Sequence, residues 1–73
     1  MSEKIIILKP DQDYITLQAV LQISDIISTG GMAKTYLAEN PADVNGEEEN
    51  RRGRKLYPGD KVCVGKETIL IKR

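Results

Sequence analysis

Arg51, Arg52, Arg54 and Lys55 place four cations within five residues, with Gly53 between them. Arginine presents a planar fork of N–H donors that engages phosphate oxygens in pairs. A glycine inside such a run lets the backbone turn so that the flanking side chains converge. Residues of this type at this spacing suit a phosphate clamp. Glu47-Glu48-Glu49 stands just before them, so the competing reading is a solvated loop balanced by its own acids. The chain as a whole is neutral, with 11 Lys+Arg against 11 Asp+Glu. Setting the acidic triplet aside leaves the remainder at +3 (11 against 8), so the positive field is local.

Most catalytic chemistry is excluded by what is missing. The sequence has 73 residues, no His and one Cys. A chain of this size buries only about 60% of its unfolded surface, too little for a large core and a substrate pocket together. Without His or paired Cys there is no ordinary zinc site and no internal disulfide. Without a His base there is no Ser-His-Asp or Cys-His machinery. Cys63 has no charged neighbour placed to activate it, and no pair of carboxylates sits in a setting that would raise one of them for acid–base work. The expectation is a non-enzymatic protein with no metal and no cofactor. The longest apolar run, Ile5-Ile6-Ile7-Leu8, is far below the roughly 18 residues that span a bilayer. The stretch following Met1-Ser2-Glu3-Lys4 is too short for a secretory signal. A cytoplasmic protein without a membrane partner is expected.

The elements that must position the basic run follow from periodicity. Residues 3–9 read as a strand bounded by Pro10-Asp11, and the unbroken Ile5–Leu8 run predicts cover on both faces. Thr16 offers a hydroxyl to cap a first helix, in which Leu17, Val20, Leu21 and Ser24 follow at helical spacing and give it an apolar stripe. Ile26 and Ile27 plug the connection. Ser28 is the cap expected for a second helix running from Thr29 to Glu39, with Ala33, Tyr36 and Leu37 on its inner face and Lys34 about 100° round from Ala33. Asn40-Pro41 stops that helix. Asn45-Gly46 suits a type I′ hairpin turn, Pro58-Gly59 a second tight turn, and 61–64 and 68–72 the last two strands. Val62 and Val64 are expected to face inward and Cys63 outward. The predicted fold is α+β: two short helices in a helix-turn-helix-like pair, packed on a small, mostly antiparallel sheet with the first and last strands paired at its centre.

Ser28-Thr29, Ala33-Lys34, Val44-Asn45-Gly46 and Lys55-Leu56-Tyr57-Pro58-Gly59-Asp60 occur here in an order and spacing that resembles the S-four RNA-binding domain, or alpha-L motif. Ile27-Ser28-Thr29-Gly30-Gly31 and the block from Glu49 to Leu56 are similar to its stand-alone branch, the YaaA-type small proteins. The resemblance implies one domain over 1–73, with a motif core at 15–60 and flanking strands at 3–9 and 61–72. It also implies RNA binding by the outer face of the helix pair together with the loop after the Asn-Gly turn. Carried onto matching positions, the candidate residues are Ser28, Thr29 and Lys34 on the second helix and Arg51, Arg52, Arg54 and Lys55 in the loop. Many members have Arg after the Ser-Thr pair; Gly30-Gly31 replaces it here, removing a cation but baring backbone N–H groups at a helix start. Pro41-Ala42-Asp43 also departs from the family pattern and predicts a short strand before the turn.

The bland readings are concrete. They are Lys34 as an ordinary solvent-facing lysine, Gly30-Gly31 as a packing device, and Tyr36 as a core residue because it shares a face with Ala33 and Leu37. With three Tyr and no Phe or Trp, there is no aromatic ladder for threading single strands. A structured RNA read through backbone and shape, with ribosomal RNA as one candidate, is the expected partner, alongside a possible protein on the ribosome. The alternative is a protein–protein adaptor without RNA contact.

Overall fold

Thr16 sets the first helix in place. In the computed structural model, which describes residues 2–73 and so leaves Met1 of the expected domain outside, the Thr16 hydroxyl accepts a hydrogen bond from the Ala19 amide at 3.3 Å. Helix α1 (Leu17–Ile23) starts there and buries Leu17, Val20 and Leu21. It ends where Asp25 takes a left-handed φ of 59°, a conformation that a short polar side chain tolerates. The Ile26 amide then closes the end on the Leu21 carbonyl at 2.9 Å. Lys4 reaches across and donates to the Ser24 carbonyl at 2.7 Å, putting a cation at the helix's negative end.

The second helix starts later than predicted. Ser28 and Thr29 make no capping hydrogen bond; Gly30–Met32 form a 3-10 turn, and α2 covers Ala33–Glu39. Two consecutive glycines weaken the first turn of an α-helix, which accounts for the delayed start. Ala33 and Leu37 are buried, Tyr36 packs partly against the core, and Asn40 ends the helix before Pro41 as expected.

Among the described residues seven strands complete the fold: β1 (Ser2–Ile7), β2 (Ile15–Thr16), β3 (Ala42–Val44), β4 (Glu47–Glu49), β5 (Lys55–Leu56), β6 (Lys61–Val64) and β7 (Glu67–Lys72). Five form one sheet in the order β1-β7-β6-β3-β4, antiparallel except for β1 against β7. The other two, β2 and β5, pair by themselves. This is the α+β architecture expected, with two corrections. The first and last strands do pair, but β6 occupies the centre and β1 the edge. The Ile5–Leu8 run is covered on one face only: Ile6 and Leu8 are buried, whereas Ile5 and Ile7 are 54% and 70% exposed. An edge strand with helices on one side has nothing to cover its outer face.

The turns are tied to one another. Asn45 and Gly46 have φ of 53° and 91°, the pair of positive values a type I′ turn requires. The Asn45 side chain donates to Asp60 Oδ1 at 3.0 Å and accepts from the Lys61 amide at 3.0 Å. Asp60 Oδ2 accepts from the Tyr57 amide at 2.8 Å, across the Pro58-Gly59 turn. One aspartate therefore holds the β5–β6 turn closed and locks it to the β3–β4 hairpin. Asp60→Ala removes two hydrogen bonds of about 1 kcal/mol each. It is expected to lower the melting temperature by roughly 5–15 °C, read by thermal denaturation, while Asp11→Ala on the exposed loop leaves it unchanged.

Candidate nucleic-acid interface

The hairpin register fixes the side-chain directions of β4. Ala42 pairs with Glu49, and because Ala42 faces the core, Glu49 does too; Glu49 is only 5% exposed. A carboxylate so placed must find partners, and it finds them in the basic run. Oε2 accepts from the Arg51 amide at 3.0 Å and from Arg51 Nε at 3.0 Å. Oε1 accepts from Arg51 Nη2 at 3.1 Å and Arg54 Nη1 at 2.8 Å. These four bonds use the acceptor capacity of both oxygens. The Arg51 and Arg54 hydrogen bonds outweigh the effect of burial and hold the carboxyl down from 4.5 to about 2.

The clamp shapes the loop. Arg54 donates its amide to the Arg51 carbonyl at 3.2 Å, closing a turn with Arg52 and Gly53 at the tip. The loop then lies against α1: the Leu17 amide donates to the Arg54 carbonyl and the Gln18 amide to the Arg52 carbonyl, both at 2.9 Å. Two first-turn N–H groups of α1, which would otherwise lack partners, are thereby satisfied. The Gln18 side chain meanwhile lies against Gly30, where an added Cβ would collide with it. Gln18 thus sits between the basic loop and the 3-10 turn that leads into α2.

The candidate residues are placed as follows. Arg51 and Arg52 are exposed and Arg54 is half-buried in one loop, which continues into β5 at the exposed Lys55. Ser28, Thr29, Gly31 and Lys34 are exposed, and Gly30 is half-buried against α1. No hydrogen bond among the described residues joins Ser28, Thr29 or Lys34 to the loop; the two groups are connected through Gln18. Arg51 and Arg54 are partly committed to Glu49, so one negative charge offsets two positive ones. Glu47 and Glu48 are exposed and form no ion pair among the described residues. Together Arg51, Arg52, Arg54, Lys55 and Glu49 carry +3 (four against one).

Two features were missed in the sequence. Glu49 reads there as one of three equivalent acids, although the Asn45-Gly46 turn and the buried Ala42 already imply its inward direction. Tyr14 and Tyr57 flank the β2–β5 pairing, in which Ile15 lies opposite Leu56 and Thr16 opposite Lys55. One step further out, that register sets Tyr14 opposite Tyr57. Their rings are 6.0 Å apart and tilted by 50°, and Lys55 Nζ stands over the Tyr14 ring, 5.0 Å from its centroid, within cation–π range. Arg51, Gly53, Arg54, Lys55 and Tyr57 line one shallow, open groove. Among the described residues no group of three or more His, Cys, Asp or Glu is placed to hold a metal ion, and no helix is long and apolar enough to cross a membrane.

The S4 domain model matches residues 8–72, from the residue after β1 to the end of β7. The chain belongs to the S4 domain family. It is 54% identical over 54 residues to the "Probable ribosome maturation protein RlbA" of Bacillus subtilis (strain 168), a match covering 74% of this chain and 76% of that protein. No solved structure matches. The S4 match takes in Asn45, the Glu49 clamp, the whole basic loop and the Pro58-Gly59-Asp60 turn, so the hydrogen-bonded frame lies inside the shared domain.

The clamp has a defined pH signature. Because the folded-state value of Glu49 is depressed, its contribution to stability is complete above pH 4.5 and is lost as pH falls toward 2. Glu49→Gln is expected to melt below the wild type at pH 7, with the difference shrinking between pH 4.5 and 2. Thermal melts of both proteins across that range check this.

Proposed function

We propose that this S4-domain protein acts as a single, non-catalytic RNA-binding module over residues 1–73, and that it contacts structured RNA, specifically ribosomal RNA, in the cytoplasm. The observation that carries the reading is the Glu49 clamp. A buried carboxylate holds Arg51 and Arg54 in place, so the loop keeps a defined shape with Arg52 at the tip of its turn and Lys55 beside it. A loop whose backbone is already fixed loses less conformational entropy on binding than a mobile one, and the fork of an outward arginine such as Arg52 matches phosphate as well as carboxylate. Lys34, with Ser28, Thr29, Gly30 and Gly31, extends the surface on the far side of Gln18. The name of the Bacillus subtilis relative, a probable ribosome maturation protein, supports a ribosomal target, as does membership of the S4 family.

A small footprint sets modest expectations for affinity. Four or five phosphate contacts give a slope of log K against log[salt] of roughly −3 to −4. Arg51 and Arg54 are poor test positions because their removal unlocks Glu49. Arg52→Ala/Lys55→Ala leaves the clamp in place. This double variant should melt like the wild type, bind ribosomal RNA fragments more weakly and show a slope shallower by about 1.4–1.8. Filter binding or fluorescence anisotropy at several salt concentrations measures both quantities. Unchanged affinity and slope would contradict the proposed surface.

A further inference from the structure

Of the three tyrosines, Tyr36 is packed against the core, whereas Tyr14 and Tyr57 remain 39% and 48% exposed. Neither phenol hydroxyl makes a hydrogen bond among the described residues, and the apolar layer beneath them is already closed by Ile15 and Leu56, both buried. The pair is therefore more than a lid on the core: two aromatic rings are held at the surface by the β2–β5 register. Lys55 covers one face of Tyr14. Tyr57 is the ring that lines the groove shared with Arg51, Gly53, Arg54 and Lys55. Its position is fixed from both sides, by pairing through Leu56 and by the bond from its own amide to Asp60.

We propose that Tyr57, backed by Tyr14, is a stacking platform for one unpaired base, with an adjoining phosphate on Lys55 in the same groove. This inference rests on the RNA reading given above and narrows its target to RNA that presents an extruded nucleotide. A base inside a continuous duplex offers no free face, whereas bulged and looped nucleotides are recognised by stacking on aromatic side chains. Such stacking tolerates any base, because every base has a π-face. A single platform holds one nucleotide rather than a strand, in keeping with a chain that has no aromatic ladder. The cations of the groove would anchor the adjoining backbone, so that stacking sets the preference and the loop supplies the salt-dependent part of the affinity.

The test compares two RNA hairpins, one with an uninterrupted stem and one with a single bulged adenosine, each titrated at several salt concentrations. The wild type should prefer the bulged hairpin. Tyr57→Ala should weaken that complex about 5- to 150-fold with the salt slope unchanged and duplex binding unaffected. Tyr57→Phe should keep the preference. Tyr57→Leu, which preserves apolar bulk and folding without a π-face, should lose it. Equal binding to both hairpins, or a Tyr57→Leu protein that keeps the preference, overturns the stacking platform while leaving the basic-loop reading in place. Absence of salt-dependent binding to either hairpin overturns both.

Discussion

A single buried carboxylate organises the basic-loop side of this molecule. Glu49 is carried to the core face by strand alternation and has both oxygens filled by two arginines and one backbone amide. An unpaired charge in that position would be costly, so the loop has little freedom to leave it. The same clamp aims the loop carbonyls at the first turn of α1, where they meet the Leu17 and Gln18 amides. Helix start, loop shape and strand end are thereby settled together. The acid that looks in the sequence as though it cancels the basic run is instead what gives that run its form.

The frame behind the loop is likewise built from hydrogen bonds between turns. Asn45 and Asp60 lie far apart in the chain, yet each completes the other's turn. This gives the ordered motifs a physical meaning: Asn-Gly and Pro-Gly-Asp are two halves of one network. Between those halves the chain is free to extend outward, and it is there that the cations occur. On the other side of Gln18, Gly30 leaves room for the end of the Gln18 side chain, a contact that Gly31 does not share.

Much of the fold was legible because its signals are local. Thr16 as a cap, the Leu17-Val20-Leu21 stripe, the stop at Asn40-Pro41 and the turn at Asn45-Gly46 each depend on a few adjacent residues. The pairing of the first and last strands was also legible, but the finer long-range placement was not. The Ile5–Leu8 run looks two-sided, but whether a strand lies at the edge or centre of a sheet is decided by residues sixty positions away. Ser28 resembles a helix cap, yet the two glycines after it favour a 3-10 turn. At the candidate site, the cations are plain in the sequence. Their partner Glu49 and the facing of Tyr14 and Tyr57 emerge only once the strand registers are known.

On the proposed reading, Glu49 holds a preformed cationic loop whose outward residues meet RNA. The most direct test of that reading is an NMR titration of the nitrogen-labelled protein with a ribosomal RNA fragment, following backbone amides and arginine side-chain Nε–Hε signals together. A protected, shifted Arg51 Nε–Hε signal is expected in the free protein and should persist on the Glu49 carboxylate as RNA is added, while Arg52, Lys55 and Tyr57 signals move. An averaged, solvent-exchanging Arg51 signal in the free protein would contradict the reading. So would RNA-dependent shifts confined to the open face of the sheet, at Ile5, Thr68 and Cys63.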